Sequence, residues 1–279
     1  MYNILVVGAG YLGGAIARHF KEQKQRVYAL TRESAKAAAF EDEGIQGIAA
    51  DLNQPDSLKK IPAAHFVVIS TAPDQSTEEE YRRIYLDGLR NFLESRKSQP
   101  RPYLMVLISS TSVWKDREGW VDETVPADAD AEKGKILLAS EKLILESGFP
   151  AVIFRLSGIY GPGRNRLEAF EAGKWPQPQE PDGFMNMIHV DDIARAMPVL
   201  FQKSKEGEIY LGTDGEPALR SEFSRWLAKK IGKAGGGQID TTKVTGKRLR
   251  NTRLKEMGFQ FQYPTFREGY SKLIEQRSS

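Results

Sequence analysis

Cysteine is absent from this sequence of 279 residues. Its absence excludes disulfide bonds, a thiol nucleophile and a zinc site built on thiolate ligands. Long apolar runs are also missing, and none approaches the roughly 20 apolar residues that a membrane-spanning helix needs. The first residues lack the charged, apolar and small-residue zones of a signal peptide. We therefore expect a cytoplasmic protein that does not interact with a membrane.

A strong net charge is missing as well, because 40 Lys and Arg residues face 37 Asp and Glu residues, which gives a formal charge of +3. A balance this close gives no reason to expect a nucleic-acid partner. The basic residues nevertheless cluster late in the chain, and the cluster consists of Lys243, Lys247, Arg248, Arg250, Arg253 and Lys255. This pattern predicts a solvated basic face, and the alternative is a site for a phosphate-bearing substrate.

Three glycines follow the first apolar run. Residues 3–7 have the β-branched, apolar character of a buried parallel strand, and from Gly10 onward apolar residues recur at helical spacing. In this G-x-G-x-x-G order, Gly8 permits a tight turn, Gly10 lets a pyrophosphate approach, and Gly13 lets helix and strand pack closely. The start of the helix favours an anionic phosphate. We therefore expect a dinucleotide to contact the residues of this turn: Gly8, Gly10, Tyr11, Leu12 and Gly13.

The end of the second predicted strand, residues 26–30, indicates which dinucleotide is bound. An acidic residue at this point hydrogen-bonds a ribose 2′-hydroxyl, whereas a basic one accommodates a 2′-phosphate. The sequence offers Thr31 and Arg32 here, and a guanidinium matches the geometry of a phosphate. We therefore predict that NADP(H) is preferred. Glu33 leaves NAD(H) open, and the other alternative is that Arg32 is an ordinary surface residue.

Two further strands are predicted over residues 45–50 and 66–70. Ligands of open α/β sheets bind at the carboxyl ends of the strands. We therefore expect additional cofactor contacts from the residues that end these two strands: Asp51, Leu52, Ser70, Thr71 and Ala72.

Strands and helices alternate along most of the chain, which predicts an α/β fold with a doubly wound parallel sheet of Rossmann type. Residues 1–156 are expected to form the dinucleotide-binding domain. Residues 157–279 contain more turns, which is typical of a smaller carboxyl-terminal lobe on the substrate side. A late strand and helices at about residues 187–215 are expected to return to the Rossmann core.

Four segments together resemble the extended and atypical short-chain dehydrogenase/reductase family of NAD(P)-dependent epimerases and dehydratases. They are GAGYLGG at 8–14, SSTSVW at 109–114, RLSGIYGPGR at 155–164 and MIHVDDIARA at 187–196. The resemblance extends to about residue 215. It implies an NAD(P)-binding enzyme of the oxidoreductase or epimerase/dehydratase type that acts on a hydroxyl or carbonyl compound such as a nucleotide sugar. It also implies a homodimer.

The catalytic residues of that family are only partly present. The family uses a Tyr with a Lys four residues later, together with a Ser or Thr that bonds the same substrate oxygen. Ser110 stands at the Ser/Thr position, but no tyrosine lies between residues 103 and 160. When the motifs are aligned, Lys133 stands at the Tyr position and Leu137 at the Lys position. The usual Tyr–Lys pair is therefore missing.

Two interpretations follow from the missing pair. In the first, the protein is an enzyme in which Ser110 bonds the reacting oxygen and either Lys133 or Tyr160 supplies the proton. Lys133, or Lys135 in its place, would serve only if burial lowered its pKa, and the alternative is that both are exposed lysines at the start of a helix. In the second interpretation, the protein is a non-catalytic NADP(H)-binding sensor or regulator.

A histidine beside two aspartates invites a metal interpretation. His189, Asp191 and Asp192 lie within four positions of one another, and no distant fourth ligand accompanies them. A metal site normally gathers ligands from separate parts of the chain. We therefore predict no metal, and a role for these residues in fixing a turn.

Overall fold

The computed structural model describes residues 1–175, 180–233 and 243–278 of the chain. In chain order the strands are β1 (Asn3–Val7), β2 (Arg26–Thr31), β3 (Gln46–Ala49), β4 (Phe66–Ile69), β5 (Leu104–Ser110), β6 (Gly119–Val121), β7 (Ala151–Leu156), β8 (Gly158–Tyr160), β9 (Asp182–Met185), β10 (Met187–His189), β11 (Ile209–Gly212), β12 (Ala218–Leu219), β13 (Val244–Thr245) and β14 (Lys247–Leu249).

The α-helices, again in chain order, are α1 (Tyr11–Glu22), α2 (Ser34–Asp42), α3 (Pro55–Leu58), α4 (Glu78–Arg82), α5 (Leu89–Arg96), α6 (Glu132–Leu145), α7 (Leu167–Glu171), α8 (Val190–Lys203), α9 (Arg220–Lys230), α10 (Thr252–Glu256) and α11 (Phe266–Ser278). A π-helical turn, Arg83–Gly88, joins α4 to α5, and a 3-10 turn, Thr111–Val113, follows β5. In the part of the chain that the structure describes, no helix is long and apolar enough to span a lipid bilayer.

The central sheet contains seven strands in the order β11-β7-β5-β4-β1-β2-β3. β1 pairs in parallel with β2 and with β4, and the pairs β2–β3 and β4–β5 are also parallel. Residues 4–7 of β1 and all of β4 are apolar and buried, as strands covered on both faces must be. The predicted α/β fold of Rossmann type, with its doubly wound parallel sheet, is therefore confirmed.

The strand order brings together three turns that were predicted to bind the cofactor. Parallel strands end at the same edge of a sheet, and β1 lies between β2 and β4. Gly8, Thr31 and Ser70, which end or follow these strands, are therefore neighbours. The hydroxyl of Ser70 donates to the carbonyl oxygen of Gly8 at 3.0 Å.

The chain divides into two compact units. The first contains Met1–Lys115, Ala127–Arg155 and Ile193–Tyr210. Its core lies around the central sheet and includes Leu5, Val7, Ile69, Phe92 and Met105, each at most 1% exposed. Burial of such apolar side chains is the main source of stability in a sheet of this kind.

The second unit contains Asp116–Pro126, Leu156–Asp192 and Leu211–Ser279. Its strands form three small sheets, with the orders β10-β8, β12-β9-β13 and β14-β6. Its core includes four aromatic side chains, Tyr160, Phe223, Phe266 and Tyr270, each at most 1% exposed. This unit therefore has its own hydrophobic core.

Candidate functional site

The turn after β1 has a backbone that only glycine fits at its first position. Gly8 adopts a φ of +89°, in the left-handed region that favours glycine. A Cβ atom built on Gly8 would lie 2.8 Å from the backbone nitrogen of Thr71. The N–H groups of Gly8 and Ala9 both donate to the carbonyl of Leu30, at 3.1 and 2.8 Å. The turn is therefore fixed against both neighbouring strands.

The other two glycines of the motif have contrasting surroundings. A Cβ atom on Gly13 would lie 2.2 Å from the carbonyl oxygen of Gly8, so α1 is packed directly onto the turn. A Cβ atom on Gly10 would meet no described atom within 4 Å. Gly13 thus serves the packing of the helix, whereas Gly10 faces open space.

This open space has the properties that a pyrophosphate requires. α1 begins at Tyr11, its first turn contains no acidic residue, and no side chain caps its amino end. The first N–H groups of a helix lack partners within the helix, and they carry partial positive charge. The residues at this turn therefore fit the diphosphate of a dinucleotide.

A guanidinium lies at the end of β2, where the adenosine ribose is expected. Thr31 is 7% exposed, and its hydroxyl accepts the N–H of Glu33 at 3.4 Å. The Nη2 atom of Arg32 donates to both carboxylate oxygens of Asp74, at 2.7 and 2.6 Å. The side chains of this pair are 36% and 67% exposed, so the pair adds little stability. Arg32 therefore remains accessible to a phosphate, and Asp74 competes for it.

The remaining predicted cofactor residues follow β3 and β4. The carboxylate of Asp51 accepts the backbone N–H two residues later at 2.9 Å. Leu52 is 5% exposed, whereas Ser70 and Thr71 are half-buried and Ala72 is exposed. Their roles in cofactor binding remain predictions.

Ser110 is the last residue of β5 and begins the 3-10 turn. Its hydroxyl oxygen accepts the N–H of Ser112 at 3.2 Å, and its side chain is half-buried. A hydroxyl in this arrangement keeps its own proton free to donate. Ser110 can therefore hydrogen-bond a substrate oxygen without breaking the cap of the turn.

Lys133 lies in the first turn of α6. Its Nζ atom donates to the hydroxyl of Ser76 at 2.8 Å and lies 5.5 Å from the centre of the Tyr81 ring. A Cβ atom on the next residue, Gly134, would lie 2.8 Å from the carbonyl oxygen of Ser112. The start of α6 therefore packs on the turn that Ser110 begins, so the fold brings the segments of these two predicted residues together.

A buried ion pair adjoins this turn, and the sequence motifs contain its arginine, Arg155, but not its partner, Glu141. Arg155 donates to both oxygens of Glu141, at 3.0 and 2.7 Å, and the hydroxyl of Ser109 donates to the same carboxylate at 2.5 Å. The two charged side chains are 4% and 5% exposed. Arg155 also lies 4.6 Å from the ring of Trp114. The network links β5, α6 and β7, and it fixes the strand end that carries Ser110.

Two sequence signals pointed to Arg155: it begins the RLSGIYGPGR segment, and it is a charge within an apolar strand. Arg155 interrupts the run AVIFRL of β7, and a buried charge requires a partner of opposite sign. The sequence alone does not identify that partner, because Glu141 is one of several acidic residues on nearby helices.

Tyr160, the third predicted catalytic residue, lies in the core of the second unit. It is 1% exposed and stacks on Tyr270 with ring centres 5.0 Å apart. Its hydroxyl has no hydrogen-bond partner among the described residues. Burial raises the pKa of the Tyr160 phenol well above its usual value, and the carboxylate of Asp214 raises it further. These surroundings favour a packing role, and the catalytic role of Tyr160 remains a prediction.

His189 contacts Asp191, whereas Asp192 contacts a different segment of the chain. His189 is 2% exposed, and its Nδ1 atom accepts the N–H of Asp191 at 3.2 Å. The carboxylate of Asp192 is fully buried and accepts the N–H groups of Gln262 and Tyr263, at 2.7 and 2.9 Å. Asp192 therefore fixes a distant turn of the second unit.

Comparison with known proteins identifies several similar ones. The model of the family described as "NAD dependent epimerase/dehydratase family" matches residues 4–211. Protein YeeZ of Escherichia coli K12 is 29% identical over 285 positions, which cover 95% of this chain and 97% of YeeZ. A solved structure from Methylobacillus flagellatus, described as an NAD-dependent epimerase/dehydratase, is 31% identical with a TM-score of 0.83 and covers 100% of this chain and 99% of that one.

A more distant similarity concerns the fold alone. The structure of MoeE5 in complex with UDP-glucose and NAD is 21% identical, with a TM-score of 0.80, and the match covers 99% of both chains.

Proposed function

Because this chain belongs to the NAD-dependent epimerase/dehydratase family, we propose that it is an enzyme that prefers NADP(H) and acts on a hydroxyl or carbonyl compound. The main support for the proposal is the open space beside Gly10 at the amino end of α1, together with the accessible guanidinium of Arg32 at the end of the neighbouring strand. A nucleotide sugar is the substrate class we propose, since MoeE5 has this fold and binds UDP-glucose together with NAD. The bound cofactor supplies or accepts a hydride.

The cofactor is held by residues at the carboxyl edge of the sheet. The amino end of α1 binds the diphosphate over Gly10, and Thr31 and Arg32 contact the ribose and its 2′-phosphate. Asp51, Leu52, Ser70, Thr71 and Ala72 border the remainder of the cofactor. In this arrangement the backbone provides most of the diphosphate recognition, and Arg32 provides the preference for NADP(H).

Ser110 and Lys133 perform the proton chemistry in this proposal. The hydroxyl of Ser110 bonds the reacting oxygen of the substrate, and the ammonium of Lys133 donates a proton to that oxygen. In the reverse direction the neutral amine of Lys133 accepts the proton from the substrate hydroxyl. The Ser76 hydroxyl, 2.8 Å from the Nζ atom of Lys133, holds the amine in place. Lys133 is favoured over Tyr160 because it is only half-buried and lies at the start of α6, which packs on the turn that Ser110 begins, whereas the Tyr160 side chain is buried in the core of the second unit.

Calorimetric titration with NADPH and NADH tests the cofactor assignment. We expect the wild type to bind NADPH more tightly, and Arg32→Ala to lose about tenfold or more of its NADPH affinity with little change for NADH. An equal loss for both nucleotides would refute the role of Arg32 in binding the 2′-phosphate. Absence of binding for both would refute the cofactor site itself.

Steady-state kinetics with NADPH and a panel of carbonyl compounds and nucleotide sugars tests catalysis. We expect Lys133→Met to lower kcat by about 100-fold or more while NADPH affinity is kept. Lys135→Met is the matched control, because Lys135 is exposed on the same helix and pairs only weakly with Glu132 at 3.9 Å. Tight NADPH binding without turnover of any compound would favour the non-catalytic sensor instead.

A further inference from the structure

The amine of Lys133 has only uncharged partners in the part of the chain that the structure describes. Its Nζ atom donates to the hydroxyl of Ser76 at 2.8 Å and lies 5.5 Å from the centre of the Tyr81 ring. Among the described residues, no carboxylate lies within salt-bridge distance of this amine. The nearby Lys135, by contrast, lies 3.9 Å from a carboxylate oxygen of Glu132.

Uncharged partners hold an ammonium without neutralising it. The face of an aromatic ring attracts a cation through the ring quadrupole, yet it accepts no proton. A serine hydroxyl accepts a hydrogen bond and carries no net charge. The ammonium of Lys133 therefore keeps its full charge for a substrate oxygen, whereas a carboxylate partner would compete with that oxygen for the proton.

The Tyr81 ring is itself held in place by α4 and the π-helical turn. Thr77 begins α4, where its hydroxyl accepts the N–H of Glu80 at 3.2 Å and its carbonyl accepts the N–H of Tyr81 at 3.1 Å. The ring of Tyr81 contacts the ring of Tyr85 in the π-helical turn, with centres 5.3 Å apart. The ring is therefore supported by its own backbone and by a second aromatic side chain.

The helix that carries Lys133 is held against the same elements. Both α4 and the π-helical turn pack against α6, and Arg82 of α4 forms an ion pair with Glu132 of α6. On the other side, the start of α6 packs on the turn that Ser110 begins, because Gly134 leaves no room for a Cβ atom beside the carbonyl of Ser112. Lys133 therefore lies where the segments that follow β4 and β5 both contact α6.

A lysine needs such support if its amine is to act at a defined point. Its four-carbon stem is flexible, and a group that takes part in proton transfer must be held in the correct geometry. We propose that Tyr81 is a positioning residue for Lys133, and that its ring, together with the Ser76 hydroxyl, holds the ammonium where it meets the substrate oxygen. This inference rests on the proton-donor role of Lys133 in the proposed function. Tyr81 acts through Lys133 and need not touch the substrate.

Steady-state kinetics with NADPH and the compound that wild type reduces best tests this role. We expect Tyr81→Leu to lower kcat about fivefold and to change KM by less than about twofold, because the lost ring frees the amine without removing a substrate contact. Tyr81→Phe keeps the ring and should restore kcat to within about twofold of wild type. An equal loss of kcat in Tyr81→Phe and Tyr81→Leu would show that the ring contact does not matter, and the inference would be wrong.

Tyr103→Leu is the matched control for these variants. Tyr103 is an exposed tyrosine of the same unit, and it lies just before β5, at the sheet edge opposite to the one where Ser110 ends the strand. Its replacement should leave kcat and KM unchanged. A fivefold loss of kcat in this control would show that the kinetics report a general loss of structure.

The double variant of Tyr81→Leu and Lys133→Met shows whether Tyr81 acts through the lysine. A positioning residue has no effect once the amine is gone, so Tyr81→Leu should change the residual kcat of Lys133→Met by no more than about twofold. A fivefold loss in both backgrounds would overturn the inference, because Tyr81 would then act independently of Lys133. Wild-type kcat in Lys133→Met alone would instead refute the proton-donor role.

Proton–carbon NMR spectra of protein labelled at the lysine Cε atoms detect the contact without catalysis. The ring current of Tyr81 should move the Cε protons of Lys133 upfield of those of exposed lysines, and the loss of this signal in Lys133→Met assigns it. Tyr81→Phe should keep the upfield shift, and Tyr81→Leu should remove it.

The spectra also separate this inference from the proposed function. An ordinary position of the Lys133 signal in wild type would overturn the inference, and this result does not depend on whether Tyr81→Leu folds. An upfield signal in wild type without turnover of any compound would refute the proposed function, while the contact that holds Lys133 would stand.

Discussion

Arg32 shows how one residue depends on a contact that lies far away in the sequence. Its guanidinium follows β2, whereas its partner Asp74 follows β4, and the two strands flank β1. The residue type predicts recognition of a 2′-phosphate, and it remains a prediction. The carboxylate of Asp74, however, accepts a hydrogen bond from the Nη2 atom of Arg32, which is a donor that the 2′-phosphate would also use.

Replacing Asp74 with asparagine should therefore raise the affinity for NADPH. The substitution keeps the size of the side chain and removes a negative charge that repels the 2′-phosphate. One such charge at about 4 Å in water is worth about 1 kcal/mol, so we expect about a fivefold gain. Calorimetry with NADPH and NADH measures the effect, and NADH affinity should not change.

Asp87→Asn is the matched control for this prediction. Asp87 forms an exposed ion pair with Arg90 on the surface of the same unit, with both side chains 61% exposed. The Asp87→Asn substitution should leave the affinities for NADPH and NADH unchanged. A similar gain for NADH in Asp74→Asn would show that the carboxylate acts on the whole nucleotide rather than on the 2′-phosphate.

The three glycines of the turn before α1 have different roles. Gly8 and Gly13 are required by the backbone, since one has a positive φ and the other contacts the Gly8 carbonyl. Gly10 has no such requirement in the fold, because the space beside it contains no described atom within 4 Å. Fold and ligand binding therefore depend on different glycines of the same motif.

Alanine at each position should separate these two roles. Gly13→Ala forces a Cβ atom to within 2.2 Å of the Gly8 carbonyl, so we expect the free energy of unfolding to fall by about 2 kcal/mol or more. Gly10→Ala should change it by less than about 1 kcal/mol yet weaken NADPH binding by about tenfold. Urea unfolding without nucleotide and calorimetry measure the two effects. A stable Gly13→Ala variant would contradict this explanation of the motif.

The whole molecule contains a core in each compact unit, and each unit buries polar groups that only particular partners satisfy. In the first unit Glu141 and Arg155 neutralise each other. In the second unit His189 is surrounded by the rings of Tyr160 and Tyr263, with centres 5.1 and 4.0 Å away. Burial lowers the pKa of His189, and the carboxylate of Asp191 only partly opposes this effect.

His189 should therefore make the stability of the protein depend on pH. Because its pKa in the folded state lies below the unfolded value of about 6.5, the unfolded chain takes up the proton first. Its contribution is complete above pH 6.5 and is lost as the pH falls towards the folded pKa. We expect His189→Asn to be less stable than wild type at pH 7.5, yet to lose less stability on acidification.

Urea unfolding of both proteins at pH 7.5 and pH 5.5 measures this difference. Asparagine keeps an acceptor for the N–H of Asp191 but does not titrate, so the slope with pH reports the imidazole separately from its packing. Equal losses of stability in both proteins would show that His189 does not contribute to the pH dependence.

The amino-acid sequence by itself determined the sheet, the glycine turn and the order of the elements. Apolar runs of strand length, helical periodicity and glycine spacing are local patterns, and local conformation and burial follow from them directly. The sequence also showed that the Tyr–Lys pair is missing, because this depends only on which residue stands at each position.

Only the tertiary structure decided the pairs that the sites depend on. Asp74 meets Arg32, Glu141 meets Arg155, and Tyr81 meets Lys133 because strand order and helix packing bring together residues that are 14 to 52 positions apart. No local pattern selects one carboxylate or one aromatic ring among many. The selection arises from burial and geometry, because an unpaired buried charge is costly and only the folded chain determines which charges are buried.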